Sequence, residues 1–146
     1  MYIGMELIGV IKRKKSEVGL QIAYSLYALL WRGDSRMEIS KKDWKLYREK
    51  IAGWQENYMD HLNKEYIDLL SSKEGNPSDK FWKLEERIKK DKKHPGVIIE
   101  TRKSRAIFDI AGLIMRKVIT YEDLADFSQE LKEAIKMILD RGSFCQ

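Results

Sequence analysis

From Trp44 to Leu69, apolar and aromatic residues recur at steps of three or four: Trp44, Tyr47, Ile51, Trp54, Tyr58, Leu62, Tyr66 and Leu69. Only a helix of 3.6 residues per turn places such a series on one face, because a strand would send alternate members to opposite sides. The other face is charged, with Lys45, Arg48, Glu49, Glu56, Asp60, Lys64, Glu65 and Asp68. Ser40 is a suitable N-cap, and Asp43 at the third helical position comes close to a capping box. At about 1.5 Å per residue, a helix of about 30 residues runs roughly 45 Å. Gly53 is its one weak point, costing about 1 kcal/mol against alanine.

The stretch Ser71-Ser72-Lys73-Glu74-Gly75-Asn76-Pro77 predicts a turn, since glycine ends helices and the residue before proline avoids the helical region. Ser78 then caps a second helix, whose Phe81, Leu84 and Ile88 face is expected to fold back on the first as an antiparallel hairpin. Val97–Glu100 reads either as an extended piece or, preferably, as the start of a third helix with Pro95 near its first turn. From Lys103 to Val118 the face Ile107, Ile110, Ala111, Ile114 and Val118 is helical in spacing. Thr120-x-x-Asp123 predicts a capping box for a last helix lined by Leu124, Phe127, Leu131, Ile135 and Ile138 and ending at Arg141-Gly142. The predicted fold is all-α, a small bundle of about four helices built on a long aromatic-rich hairpin.

The 146 residues are 43% hydrophobic and 35% charged, with 9 Gly and 2 Pro. That balance supports one packed domain and excludes a wholly disordered or collagen-like chain. Residues 37–146 read as the single helical domain. Residues 1–36 are different: the basic cluster Lys12–Lys15 precedes an apolar run, Val18–Trp31. The run imitates a signal peptide but lacks a small-x-small cleavage site, and it falls short of the roughly 20 residues of a spanning helix. Two readings of this leader stand side by side. It is an extra amphipathic helix docked on the core, or it is upstream sequence read in frame ahead of Met37, where helix signals begin.

Few residues carry a recognisable chemistry. His61 and His94 are the only histidines, and neither has the spacing of a metal pair. Cys145 is the only cysteine, so no internal disulfide forms; one thiol fits a reducing, cytoplasmic setting. Phosphate-cradling glycine loops and the Gly-x-Ser-x-Gly nucleophile elbow are absent from the sequence. The carboxylates at helical spacing, Glu56/Asp60 and Asp123/Asp126/Glu130, read as solvated faces. The expectation is a protein that is not an enzyme and uses neither cofactor nor metal.

Net charge is +5, but it is unevenly spread. Residues 87–105 carry eight basic residues against Asp91 and Glu100, a net of +6. The belt Lys89, Lys90, Lys92, Lys93, Arg102, Lys103 and Arg105 is the candidate nucleic-acid contact, because lysine and arginine neutralise phosphates. The acidic last helix argues against sequence-reading in a major groove. Aromatics offer a second candidate. Most of the stripe is expected in the core, but Trp82 lies one position off the Phe81/Leu84/Ile88 face and is the candidate anchor for a protein partner.

Several stretches together resemble a family of small uncharacterised helical proteins of gut Firmicutes, some of them labelled "multidrug transporter". They are Trp44-Lys45-Leu46, Trp54-Gln55-Glu56-x-Tyr58-Met59-x-x-Leu62, Lys64-Glu65-Tyr66-Ile67, Asn76-Pro77-Ser78-x-Lys80-Phe81-Trp82-x-Leu84-Glu85 and Ile119-Thr120-x-x-Asp123-Leu124. The resemblance covers residues 37–140 and implies no catalytic residues. Nothing in that core approaches the length of a membrane span, so a transporter is not expected. The sequence therefore points to an accessory protein that binds a macromolecular partner through its helical surface. The alternative is nonspecific nucleic-acid binding through 87–105. A homodimer through the long helix is compatible with either, and membrane association is not expected.

Overall fold

The computed structural model describes residues 37–143; the leader 1–36 and Cys145 lie outside them. Among the described residues there are four α-helices and no strand. Helix α1 spans Lys41–Ser71, α2 Pro77–Asp91, α3 Ala106–Met115 and α4 Gln129–Ser143, with short 3-10 turns at Lys103–Arg105 and Tyr121–Leu124. The all-α bundle is as the periodicity predicts.

Helix α1 begins at the expected cap, where the Asp43 amide donates to Ser40 Oγ at 3.0 Å. Its stripe divides along its length. Tyr47, Ile51 and Trp54 join the main core with Ile107, Ile110, Leu113, Leu124, Phe127, Leu131 and Ile135. Successive rings meet at tilted angles, Tyr47 to Trp54 and Trp54 to Phe127 each at 6.2 Å, a favourable arrangement for aromatic quadrupoles. Helices α3 and α4 pack against each other and close this core. Beyond Trp54, α1 leaves the core and pairs with α2, which contributes no buried residue.

That pairing corrects the expected hairpin face. Lys80, Leu84, Arg87 and Asp91, at steps of four, three and four, are the α2 residues turned to α1. Lys80 Nζ donates to the Leu70 and Ser72 carbonyls. Arg87 pairs with Glu65, and Asp91 accepts from Tyr66 Oη at 2.6 Å. Phe81 and Ile88 each sit one position from this face and are exposed, with Leu84 half-buried. A one-residue rotation of about 100° moves a side chain off the contact face, and the polar contacts decide which rotation is adopted.

Three helix boundaries also differ. Helix α2 starts at Pro77 with Asn76 as its N-cap, two residues before the expected Ser78 cap. Proline's fixed φ and missing N–H suit the first helical position. Helix α3 ends at Met115 rather than Val118. Val118 N–H bonds the Leu113 carbonyl at 2.9 Å and Lys117 N–H the Ile114 carbonyl at 3.0 Å. This is a Schellman turn with Lys117 at φ 60° in the place glycine usually takes. The Thr120–Asp123 capping box forms, but it opens the 3-10 turn, and α4 begins only at Gln129.

Residues 97–100 do not start a third helix, the preferred of the two expected forms. Val97 ends a turn, its N–H bonded to the His94 carbonyl at 2.8 Å, and Ile98–Glu100 is irregular. Gly96 in this turn packs close against the Tyr58 ring; a β-carbon there would come 2.6 Å from Cγ. His94 stacks on Tyr58 at 4.7 Å between ring centres. These contacts hold the chain after α2 against α1, so that Ile99 reaches the edge of the core.

Candidate interaction site

Two surfaces collect the residues singled out in the sequence. The first lies on the α1–α2 arm. Trp82 is 64% and Phe81 61% exposed, and their rings meet edge-to-face at 5.1 Å. Ile67 and Leu70 on α1 and Ile88 on α2 are exposed as well. Isolated apolar side chains on a surface are ordinary, whereas several on one short arm are a feature of interaction sites. The ion pairs of the hairpin position this surface: they hold α2 by its Lys80/Leu84/Arg87/Asp91 face and leave the aromatic pair outward. The Tyr66 hydroxyl that donates to Asp91 is pushed up to about 12 by burial and by that acidic partner.

The second surface contains part of the basic belt. Lys93, Arg102 and Arg105 line one cleft of about 220 Å³ together with Arg116, Glu100 and Asp109. Lys89, Lys90, Lys92 and Lys103 do not line it. Lys89 is paired with Glu85 one turn earlier, and Arg102 grips Glu100 at 2.7 Å. The belt of the linear sequence is thus a cleft plus a solvated helix end in space. Lys89 and Lys90 sit in the last turn of α2, where cations offset the helix dipole.

Arg116 and Asp109 were missed by sequence reasoning, although Asp109 carried a signal. It interrupts the apolar run Ala106–Met115, all of whose other members but Gly112 are apolar. Burial pushes the Asp109 carboxyl up to about 6, against the opposing pull of Arg105. Among the described residues its buried Oδ2 has no hydrogen-bond partner, nor does the buried Tyr47 hydroxyl. The Tyr47 hydroxyl is raised by burial and by Asp109, which places the two groups in each other's field. Arg105 approaches Asp109 Oδ1 only to 3.9 Å, too long for a hydrogen bond.

Carboxylates expected to be solvated are so: Glu56, Asp60, Asp123, Asp126 and Glu130 are exposed. His61 is exposed and lies 3.1 Å from Glu65. No group of three or more potential metal ligands occurs among the described residues. No helix among them is long and apolar enough to cross a membrane. Comparison with protein-family models, curated proteins and solved structures finds no match to the chain.

Proposed function

We propose that this chain is a non-enzymatic cytoplasmic interaction protein that binds a macromolecular partner through the exposed face of the α1–α2 arm, with Trp82 as its anchor. The supporting observation is the outward Phe81–Trp82 pair on a helix that buries none of its residues. Large aromatics contribute most to binding when they insert into a partner's pocket, and leaving them in water has no structural advantage for the arm itself.

The test is site-specific photo-crosslinking in the native host, with the probe at Trp82 and, as control, at Lys45 on the opposite end of α1. A single adduct of defined mass formed from Trp82 and not from Lys45 supports the reading. Identical adduct patterns from the two positions would remove it. Nucleic-acid binding through 87–105 is the second reading, favoured by the convergence of Lys93, Arg102 and Arg105 on one cleft. Its signature is salt-sensitive anisotropy of labelled DNA or RNA that disappears when Lys93, Arg102 and Arg105 become Glu.

A further inference from the structure

A larger cleft, of about 760 Å³, opens where the N-terminal ends of α1 and α4 meet. Ile39, Ile107, Leu131, Ala134 and Met137 form its apolar walls. Asp43 also lines it, but its carboxylate is already held by Ser40 and Ser128 and needs no ligand. Glu38, Glu130 and Glu133 are exposed at the cleft, and among the described residues no lysine or arginine lines it. At about 30 Å³ per water the cleft holds about 25 waters, room for several large apolar side chains. Walls and rim together call for an occupant that is apolar in body and positive in charge.

A segment of that chemistry is tethered at the mouth. The described chain begins at Met37, which with Ile39 is buried in the core, and Glu38 and Ile39 are themselves part of the cleft wall. The 36 residues before it carry six basic side chains against three acidic ones. Within Val18–Trp31 only Gln21 and Ser25 interrupt a run of apolar, aromatic and glycine residues. At helical spacing those two share one line with Arg32, which leaves the rest of the circumference apolar. A helix of this pattern is about 21 Å long and needs a surface to bury against, yet it is too short to cross a bilayer. Six residue steps separate Trp31 from Met37, so the end of the run stays within about 20 Å of the cleft mouth. A tether so short gives an effective concentration in the millimolar range, and a contact of modest strength then fills the cleft.

We propose that residues 18–31 of this same chain dock in the cleft, their apolar side against Ile107, Leu131 and Met137, with Arg32 and Arg36 beside the acidic rim of Glu38, Glu130 and Glu133. The cleft shares no residue with the α1–α2 arm, so this assignment stands apart from partner binding through Trp82. The leader then closes the core at the junction of α1 and α4.

The experiment is amide hydrogen exchange of the full chain at neutral pH, read by mass spectrometry at about 1 and about 100 μM protein. Peptides spanning 18–31 are expected to exchange at least about tenfold more slowly than an unstructured chain, equally at both concentrations. Met137→Glu places a charge on the apolar wall and is expected to return these peptides to nearly the unstructured rate. Glu130→Lys combined with Glu133→Lys, at exposed positions, is expected to speed their exchange about fivefold or more. Peptides covering Tyr47–Trp54 report on the core and should keep their protection, which separates undocking from unfolding. The double charge reversal keeps the test decisive if Met137→Glu unfolds the core. Fast exchange of 18–31 in the wild type would overturn the proposal and leave the cleft to an outside ligand. Protection that survives both variants would overturn it by placing the segment elsewhere. Protection seen only at the higher concentration would also overturn it, assigning the cleft to the leader of a second copy.

Discussion

Asp43 in α1 accepts two hydrogen bonds from Ser128, 85 residues away: one from the backbone N–H at 3.0 Å and one from the hydroxyl at 2.6 Å. Ser40 Oγ donates to the same carboxylate at 2.9 Å. Ser128 in turn accepts from the Leu131 amide at 3.3 Å, at the start of α4. A single carboxylate, 1% exposed, therefore ties together the N-terminal ends of two helices. Each end presents backbone N–H groups and a positive dipole, which is why an acid is tolerated there inside the protein.

Asp43→Ala is accordingly expected to cost about 2–4 kcal/mol, because the Ser128 and Ser40 donors lose their acceptor inside the protein. Burial opposes ionisation of Asp43, but the Ser128 and Ser40 hydrogen bonds and the nearby Lys42 charge outweigh it, so its pKa lies below the ordinary 3.8. An acid with a depressed folded-state pKa adds stability above its unfolded value and loses it as pH falls below that value. Urea denaturation at pH 7 and near pH 3 checks this: the loss between the two should be smaller in Asp43→Asn than in the wild type.

Asp109 has the opposite sign. Its carboxyl is raised from 3.8 to about 6, so the fold disfavours the charged form. The destabilisation is present above about pH 6 and is relieved as pH falls toward 3.8. Asp109→Asn is expected to stabilise the protein at pH 8, by an amount on the order of 1–2 kcal/mol, and to give no advantage near pH 4. Thermal melts of the two proteins across this range measure the difference.

Lys117 occupies the left-handed position of the turn that ends α3. A non-glycine residue in this conformation carries a penalty from the contact of its β-carbon with the following carbonyl, about 1 kcal/mol. Lys117→Gly is expected to raise stability by about 0.5–1 kcal/mol, read as a shift in denaturation midpoint at unchanged slope. Lys117→Val at the same position should lower it.

The two ends of the aromatic stripe should respond differently to truncation. Trp54 is 8% exposed and touches Tyr47 and Phe127, so Trp54→Ala should cost about 3–5 kcal/mol. Among the described residues Trp82 makes a ring contact with Phe81 alone, and Trp82→Ala should change stability by less than about 1 kcal/mol. Calorimetric melting temperatures of both variants test the contrast. A large loss for Trp82→Ala would assign that ring a structural role and withdraw its part in partner binding.

The sequence by itself determined the elements whose signals are local. The three-and-four spacing from Trp44 to Leu69 specifies α1, Ser40 caps it, Gly75-Asn76 ahead of Pro77 separates it from α2, and the apolar spacing of Ile107–Ala111 and Leu131–Ile138 marks the two helices that close the core. Periodicity, capping and turn chemistry act within a few residues, so they are legible without knowledge of the rest. Only the tertiary structure decided the rotation of α2. That rotation follows from contacts of Lys80, Arg87 and Asp91 with residues of α1 far away in sequence, and it turned Phe81 and Ile88 outward against the hydrophobic pattern. The end of α3 at Met115 was likewise illegible, because Lys117 adopts a conformation usually signalled by glycine. The basic cleft was legible only in part. Lys93, Arg102 and Arg105 stood out as a basic run, while Arg116 and Asp109 joined them only when the turn at His94–Val97 and the following irregular segment brought the chain alongside α3. Charge proximity depends on distances across the fold, and those are set by packing rather than by position in the chain.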